Sequence, residues 1–289
     1  MHTTIQQLID ERPIIIDGAW GTELLKQGLK PGESPEALNL KSPSLVEAVA
    51  KSYVDARSRI ILTNTFGGNR FTLERHGLAD QVIEVNRIGA EISKRAAGDQ
   101  SLVFASIGPS GKMLMMGDVT EEELLEAFSV QAQALAQGGA DGLVIETMSD
   151  LEEAKIALQA CKATGLPVVA SMIYDAGADR DRTMMGISVE QATKELTESG
   201  ADVIGSNCGQ GVEGFVKLCT AMKANTDLPI WIKGNAGRPE IVDGETVYKT
   251  SSEEFASFAQ PLLDAGADFI GGCCGTSPDF IRALNNALA

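Results

Sequence analysis

Eight short apolar runs, rich in Ile and Val, recur along the chain and are separated by longer segments of helical period. Continuous apolar runs separated by helices are typical of parallel strands that are buried on both faces of a sheet. The runs are Ile14–Asp17, Ile60–Thr63, Leu102–Ser106, Gly142–Glu146, Val168–Met172, Val203–Ser206, Ile230–Lys233 and Phe269–Gly272. The pattern therefore predicts eight parallel strands connected by helices.

Several of the intervening segments begin with a residue that caps helices well, because its side chain accepts a hydrogen bond from the first turn. The candidate caps are Thr120, Asp150, Ser188 and Ser251. The predicted helices are Ser44–Ala56, Gln81–Ala96, Thr120–Gly138, Asp150–Thr164, Ser188–Ser199 and Ser251–Ala265. Eight strand–helix units match a single-domain α/β fold, a (β/α)8 TIM barrel over residues 1–289. A doubly wound open sheet is the alternative, because periodicity cannot show closure.

A sequence repeat supports the barrel. A Gly-Ala-Asp triplet precedes the fourth, sixth and eighth predicted strands, at Gly139–Asp141, Gly200–Asp202 and Gly266–Asp268. Every second strand–helix unit thus shares one template. A degenerate copy, with Arg57–Arg59 in place of the triplet, leads into the second strand. Because Gly ends a helix in this repeat and Asp begins the entry to a strand, the repeat predicts architecture rather than chemistry.

Composition and charge exclude several classes of function. The chain is 44% hydrophobic and 22% charged, and its formal net charge is −16. Nucleic acids and anionic membranes attract clustered Lys and Arg, so neither is the expected partner. Apolar runs are too short to span a bilayer, and the polar segment Met1–Arg12 resembles neither a signal peptide nor a transit peptide. We therefore expect a cytoplasmic protein.

Three of the five cysteines stand where predicted strands end. Cys208 follows the sixth strand, and Cys273 and Cys274 follow the eighth, so in a barrel all three face the catalytic mouth. Three thiolates with an open fourth position describe a catalytic zinc site, and the flanking glycines let two adjacent cysteines reach one ion. Cys161 and Cys219 lie in helical segments, where a buried core cysteine is the expected interpretation.

Polar residues at other strand ends describe a site for an amino acid. Asp17 and Glu146 would hold an amino group between them by charge-assisted hydrogen bonds. The backbone N–H groups of Gly18 and Ala19 would donate to a carboxylate. Further polar residues at the predicted mouth are Asn64, Ser106, Ser171, Lys233 and Asn235.

Other functions use fewer of these residues. Lys233 at a strand end is compatible with a Schiff-base lyase, but that function leaves the three cysteines unexplained. A zinc-binding or sensing module without catalysis leaves the amino-acid site unexplained. The two histidines, His2 and His76, provide little material for a catalytic triad. The run Met113–Met116 is either a flexible apolar docking surface or packing at the barrel rim.

The motifs at the strand ends resemble those of the homocysteine S-methyltransferase family. They are Asp17–Thr22, Thr63–Phe66, Glu146–Thr147, Asn207–Gly209 and Gly271–Thr276, and the resemblance covers essentially the whole chain. The family includes the homocysteine-binding module of cobalamin-dependent methionine synthase and enzymes that use betaine or S-methylmethionine. One departure, Arg57–Arg59, replaces a glycine-containing entry to the second strand and lies away from the mouth.

The resemblance implies a TIM barrel that binds zinc and methylates homocysteine to methionine. The implied zinc ligands are Cys208, Cys273 and Cys274. The implied substrate-binding residues are Asp17, Gly18, Ala19 and Glu146, joined at the mouth by Asn64 and Ser106, with Asn235 beside the metal and its ligand when substrate is absent. Another small thiol is the alternative acceptor. The methyl donor is either a corrinoid protein that carries methylcobalamin, which we favour, or a small molecule such as S-methylmethionine.

Overall fold

The structure is a computed structural model that describes residues 2–242 and 245–289. Parallel strands and one hairpin make up its β-structure. The strands are β1 Ile14–Ile15, β2 Ile60–Ile61, β3 Leu102–Ile107, β4 Gly142–Met148, β5 Val168–Met172, β6 Val203–Gly211, β7 Ile230–Asn235, β8 Glu240–Val242, β9 Glu245–Val247 and β10 Phe269–Gly272. The segment 235–250, between the seventh and eighth barrel strands, contains the hairpin β8–β9, and residues 243 and 244 lie outside the described residues.

The eight parallel strands close into a barrel. Their order is β1-β10-β7-β6-β5-β4-β3-β2, and each neighbouring pair is hydrogen-bonded. A parallel bridge between Ile16 and Ile60 joins the two ends of this order, and the Asp17 N–H donates to the Ile60 carbonyl at 3.1 Å. The predicted barrel is therefore confirmed, and the open-sheet alternative is wrong.

Helices surround the barrel. They are α1 Thr3–Asp10, α2 Gly21–Lys26, α3 Leu38–Lys41, α4 Pro43–Asp55, α5 Arg70–Glu74, α6 Val82–Ala97, α7 Glu121–Gln137, α8 Leu151–Lys162, α9 Val189–Glu198, α10 Val212–Lys223, α11 Ser252–Ala256, α12 Ala259–Asp264 and α13 Pro278–Ala287, with 3-10 turns at Pro35–Ala37, Ala79–Gln81 and Leu114–Met116. Within the described ranges, none of them has the length and apolar character needed to cross a membrane.

The predicted caps are confirmed at all four helix starts, where each side chain accepts from the first turn. One predicted helix, Ser251–Ala265, is instead two, α11 and α12. The break has a local cause: Pro261 lacks an N–H, and its ring would clash with the carbonyl of Ser257, where α11 ends. The helix α10 was not predicted, because Gly211 begins it without a side-chain cap.

The barrel interior is apolar at its N-terminal end. The Trp231 ring stacks on Phe104 at a centroid distance of 6.1 Å and packs against Phe269 at 5.4 Å. From α1, the buried side chains of Ile5 and Leu8 join the same cluster. We call this cluster the apolar floor. The polar residues of the strands lie instead at the C-terminal end, at the mouth of the barrel.

The Gly-Ala-Asp repeat has a structural role at the N-terminal end of the barrel. Each aspartate accepts a backbone N–H from a neighbouring strand and pairs with a basic side chain. The three sets are Asp141 with Val103 and Lys94, Asp202 with Val168 and Lys162, and Asp268 with Ile230 and Arg12. The carboxylates thus link adjacent strands where they enter the barrel.

Candidate active site

Three sulfur atoms meet at the mouth of the barrel. Cys208 lies in the irregular end of β6, and Cys273 and Cys274 directly follow β10. The Sγ atoms of Cys208 and Cys274 are 3.8 Å apart, and all three Sγ atoms lie within 4.8 Å of one another. A tetrahedral zinc ion with Zn–S bonds of about 2.3 Å holds its sulfur ligands about 3.8 Å apart. The sulfur positions therefore fit the predicted metal.

The backbone around Cys208 is bent to present the sulfur. The parallel register between β6 and β7 shifts after Asn207, and Cys208 has a positive φ of 63°. Such a conformation is unfavourable for a residue with a Cβ and persists where neighbours hold it. Here the Asn207 side chain binds the backbone N–H and the hydroxyl of Thr147, at 2.9 and 2.7 Å, and accepts from the Ser171 hydroxyl at 2.7 Å. Asn207 therefore fastens the ends of three neighbouring strands.

The three thiols influence one another's protonation. Hydrogen bonds from Cys273 and Cys274 lower the pKa of Cys208 to about 3. Donation to Cys208 raises the pKa of Cys274 to about 11, and it raises the pKa of Cys273 as well. Cys208 is therefore the thiol of the cluster that loses its proton most readily. A divalent cation binds such a cluster by displacing the remaining protons.

Asn235, at the end of β7, lies beside this cluster. Its amide contributes to the low pKa of Cys208, after the two thiols and the Gly209 backbone. Among the described residues, the buried Asn235 Oδ1 has no hydrogen-bond partner. A buried acceptor without a donor is unfavourable unless something binds it, and an oxygen in this place fits a metal site. The role of Asn235 as a ligand stays a prediction.

Asp17 and Lys233 form a buried ion pair below the sulfur cluster. The Lys233 Nζ donates to Asp17 Oδ1 at 2.6 Å, and the two side chains are 3% and 0% exposed. The second carboxylate oxygen accepts from Trp20 Nε1 and from the Leu62 N–H, both at 2.7 Å. Both oxygens of Asp17 are therefore engaged within the protein, and its side chain does not line the cavity described below.

Glu146 and Lys233 face the same cavity with opposite charges. Burial raises the pKa of Glu146, although Lys233 and the hydroxyl of Ser106, which donates to Glu146 Oε1, oppose that rise. Burial also opposes the charge on Lys233, but Asp17 and Glu146 outweigh it and raise the pKa of the ammonium. A Schiff-base lysine needs a neutral amine, so the environment of Lys233 disfavours the lyase function.

A cavity of about 260 Å³ opens beside the three sulfur atoms. Five of the predicted substrate residues line it, whereas Asp17 and Asn235 do not; the five are Gly18, Ala19, Asn64, Ser106 and Glu146. The Ala19 N–H already donates to Thr276 Oγ1 at 3.1 Å. The Asn64 amide donates to the Pro35 carbonyl at 2.7 Å, so it holds the cavity wall in place.

Comparison with known proteins agrees with the motifs. A family model described as homocysteine S-methyltransferase matches residues 14–288. The chain belongs to the homocysteine S-methyltransferase family. The family resemblance of its motifs is therefore confirmed.

Relatives and solved structures of this family cover the chain almost completely. The methionine synthases of Mycobacterium leprae and Mycobacterium tuberculosis are each 27% identical to it over 99% of its length. The chain spans 25% of each of these relatives. The homocysteine methyltransferase MmuM from Escherichia coli is 22% identical in its metallated form and superimposes with a TM-score of 0.82 over 98% of this chain and 99% of that one. The MmuM likeness supports the fold.

Several residues of this candidate site were not singled out from the sequence. Thr276 accepts from Ala19 and donates to the Cys273 carbonyl at 2.7 Å, so it connects the first strand end with the cysteine pair. A Cβ on Gly18 would lie 2.8 Å from Thr276 Oγ1, which explains the glycine. Glu36 is a buried carboxylate at the mouth that accepts from the Gly67 N–H at 2.7 Å. Glu36 follows no periodic signal, whereas Thr276 belongs to the cysteine motif.

The methionine run lies in the loop after β3, on the same face as the mouth. Met115 and Met116 are 70% and 68% exposed, so rim packing does not account for them. Phe66, which lines the cavity, is also exposed. Exposed apolar side chains thus lie in two of the loops that follow strands, on the mouth face of the barrel.

Proposed function

We propose that this chain binds a zinc ion through Cys208, Cys273 and Cys274 and transfers a methyl group to the thiol of homocysteine, giving methionine. The observation that carries the proposal is the cluster of three sulfur atoms, all within 4.8 Å of one another, beside a cavity lined by Glu146 and Lys233. Membership of the homocysteine S-methyltransferase family supports the choice of acceptor.

The chemical problem is that a free thiol is largely protonated at pH 7, whereas the thiolate is the nucleophile. Zinc, when bound, would deprotonate the acceptor thiol and keep it as a coordinated thiolate. The cysteines would supply three negative charges to the site, which keeps the acceptor sulfur electron-rich. The chain need not provide a general base, and neither His2 nor His76 lines the cavity.

The side chains around the cavity would hold the rest of the acceptor. Glu146 faces the cavity and is oriented by the Ser106 hydroxyl, so it would receive the amino group. Asp17, predicted to hold the amino group with Glu146, has both oxygens engaged within the protein and would instead fix the Lys233 ammonium at the cavity. Asn64 and the backbone of Gly18 and Ala19 would form the walls of the pocket.

For the methyl donor, we propose a methylcorrinoid carried by a separate protein that docks over the mouth. Two observations support this choice: the chain is 27% identical to proteins named methionine synthase, and the exposed apolar side chains of Met115, Met116 and Phe66 lie in loops on the mouth face of the barrel. A small donor such as S-methylmethionine is the second candidate. We place the reaction in the cytoplasm, whose reducing conditions keep thiols free.

The test is a donor screen on purified, zinc-loaded protein with homocysteine as acceptor. S-methylmethionine, betaine, free methylcobalamin and a methylated corrinoid protein are compared, and methionine is measured. We expect about one zinc per chain and methionine with the corrinoid protein. Zinc binding without methionine from any donor would favour a binding or sensing module.

The cysteine assignment is tested by matched substitutions. Cys208→Ser is expected to lose both zinc and methyl transfer, because one thiolate ligand is removed. Cys219→Ser is the control, because Cys219 is buried in α10, away from the mouth, and should retain zinc and turnover. A zinc-free Cys208→Ser protein with full activity would contradict the proposal.

A further inference from the structure

The three cysteine sulfur atoms share the cavity in which the methyl group would be transferred. Cys208, Cys273 and Cys274 all line it, and all three are half-buried. With zinc bound, each would be a thiolate, and the thiolate is the nucleophilic form of a thiol. A methyl donor in the cavity would therefore meet three ligand sulfur atoms besides that of the acceptor, and methylation of a ligand would remove its negative charge from the site.

Two of these three sulfur atoms accept hydrogen bonds from residues that flank Cys208 in β6. The Gly209 backbone N–H donates to the Cys208 sulfur. The Asn207 Nδ2 donates to Cys273 Sγ at 4.0 Å. A hydrogen bond to a thiolate lowers the pKa of the thiol, and the nucleophilicity of a thiolate falls as that pKa falls. These two ligands are therefore made less reactive by the strand that carries the first of them.

The third sulfur, that of Cys274, accepts a hydrogen bond from a residue outside the barrel strands. The donor is the hydroxyl of Tyr248, a half-buried residue that directly follows β9. Tyr248 does not line the cavity, so its hydroxyl reaches the sulfur without occupying the space for the acceptor. A phenol hydroxyl is a donor at neutral pH, because its ordinary pKa is about 10.

The backbone around Cys274 holds this contact in place. The Tyr248 ring lies against Gly275: a Cβ on that glycine, whose φ is 81°, would lie 2.2 Å from the ring Cγ. The Cys274 carbonyl accepts from the Ala236 N–H at 3.0 Å, and the Ala236 carbonyl accepts from the Thr250 N–H at 3.3 Å. The segment that carries Tyr248 is therefore fastened to this cysteine through the backbone as well as through the side chain.

We propose that the Tyr248 hydroxyl directs methylation to the acceptor, because its hydrogen bond makes Cys274 a poorer nucleophile than the acceptor thiolate. This inference rests on the proposed function and concerns the choice of sulfur at the same site; Tyr248 acts through Cys274, as a positioning residue. In the reaction that is avoided, an electron pair of the Cys274 thiolate forms an S–C bond to the methyl carbon, and the leaving group departs with the electrons of the bond that breaks. The product is a neutral methyl thioether, so the metal site loses a thiolate ligand.

The experiment measures methylation of each cysteine in zinc-loaded protein without acceptor, with methyl iodide as the methyl donor and iodide as the leaving group. Digestion and mass spectrometry give the rate at each site. In Tyr248→Phe, which keeps the ring against Gly275 and removes only the hydroxyl, Cys274 should be methylated about 3- to 10-fold faster than in the wild type. The rates at Cys208 and Cys273 should stay the same, and they serve as references within the same molecule.

Lys249→Met, at a neighbouring surface ion pair, is the matched control and should give wild-type rates at all three cysteines. The zinc affinity of both variants is measured with a chelating indicator. If Tyr248→Phe does not retain zinc, replacement of the tyrosines by 3-fluorotyrosine tests the same hydrogen bond. The more acidic phenol is the stronger donor, so Cys274 should then react more slowly than in the wild type.

Faster methylation of all three ligands in Tyr248→Phe would show that the hydroxyl only holds the site together, and it would overturn the inference. An unchanged rate at Cys274 would overturn it as well. The proposed function fails separately, if zinc-loaded wild type forms no methionine from homocysteine with any donor, because the methyl iodide rates require neither homocysteine nor the natural donor.

Discussion

The two ends of the barrel use charged residues in opposite ways. At the N-terminal end, Asp202 links two strands and pairs with Lys162, whose side chain is 39% exposed, and the same arrangement is repeated at two other strands. At the C-terminal end, Asp17 and Lys233 pair at 0% and 3% exposure, with no repeat of the arrangement in the described residues. Backbone strain is also found there, at Thr147 and Cys208, both with positive φ.

This difference indicates that the N-terminal end stabilises the barrel, whereas the C-terminal end is arranged for binding. In the N-terminal pairs the basic side chains reach solvent, so each ion pair contributes little beyond the hydrogen bond that its aspartate accepts. The C-terminal pair has left water, so its stability depends on both partners being present. Strain and buried charge are maintained at the mouth because the regular end of the barrel supports them.

The largest expected effect is a difference in the free energy of unfolding between two variants, each with a Lys→Met substitution at one end of the barrel. Lys233→Met leaves Asp17 without its cation and should lower the free energy of unfolding by about 3 to 5 kcal/mol. Lys162→Met, at a half-exposed pair, should lower it by no more than about 1 kcal/mol. Urea unfolding of the two variants measures the difference. Comparable losses would show that burial does not distinguish the ends.

A smaller effect is expected from changes at the two ends of β6. Asn207→Ala frees Thr147 and the strained turn at Cys208, so zinc affinity should fall about 10- to 100-fold, as for other groups that orient metal ligands. Asp202→Asn, at the other end of this strand, should leave zinc affinity unchanged. Competition with a chelating indicator measures both. An unchanged affinity in Asn207→Ala would mean that the cysteines hold their geometry without support.

The smallest effect is expected in alkaline solution. The ordinary pKa of lysine is 10.5, and folding raises the pKa of Lys233 above that value. The contribution of the charged Lys233 to the stability of the folded chain is therefore fully present below pH 10.5 and is lost as the pH rises further. The difference in unfolding free energy between wild type and Lys233→Met should therefore be constant from pH 8 to 10 and then shrink. Urea titrations across this range test it, and thiols and tyrosines common to both proteins cancel. A difference that stays constant to pH 11.5 would be evidence against the pair.

Much of this architecture was predictable because buried strands are continuous apolar runs. The run Val203–Ser206 located β6, but the strand extends to Gly211 through polar and glycine residues that carry no such pattern. The cysteine cluster was predictable because strand ends in a barrel converge on one mouth. The partner of Asp17 was not, because Lys233 is 216 residues away and its direction depends on the register of the closed barrel.

The apolar floor formed by Ile5 and Leu8 of α1 has a consequence for the order of events. It closes the barrel at its N-terminal end, so the acceptor would enter and the product would leave through the same opening, the C-terminal mouth. A donor protein docked over the mouth would block release of the product while it delivers the methyl group. Departure of the donor would then precede departure of the product, and the rate of undocking would set an upper limit on turnover.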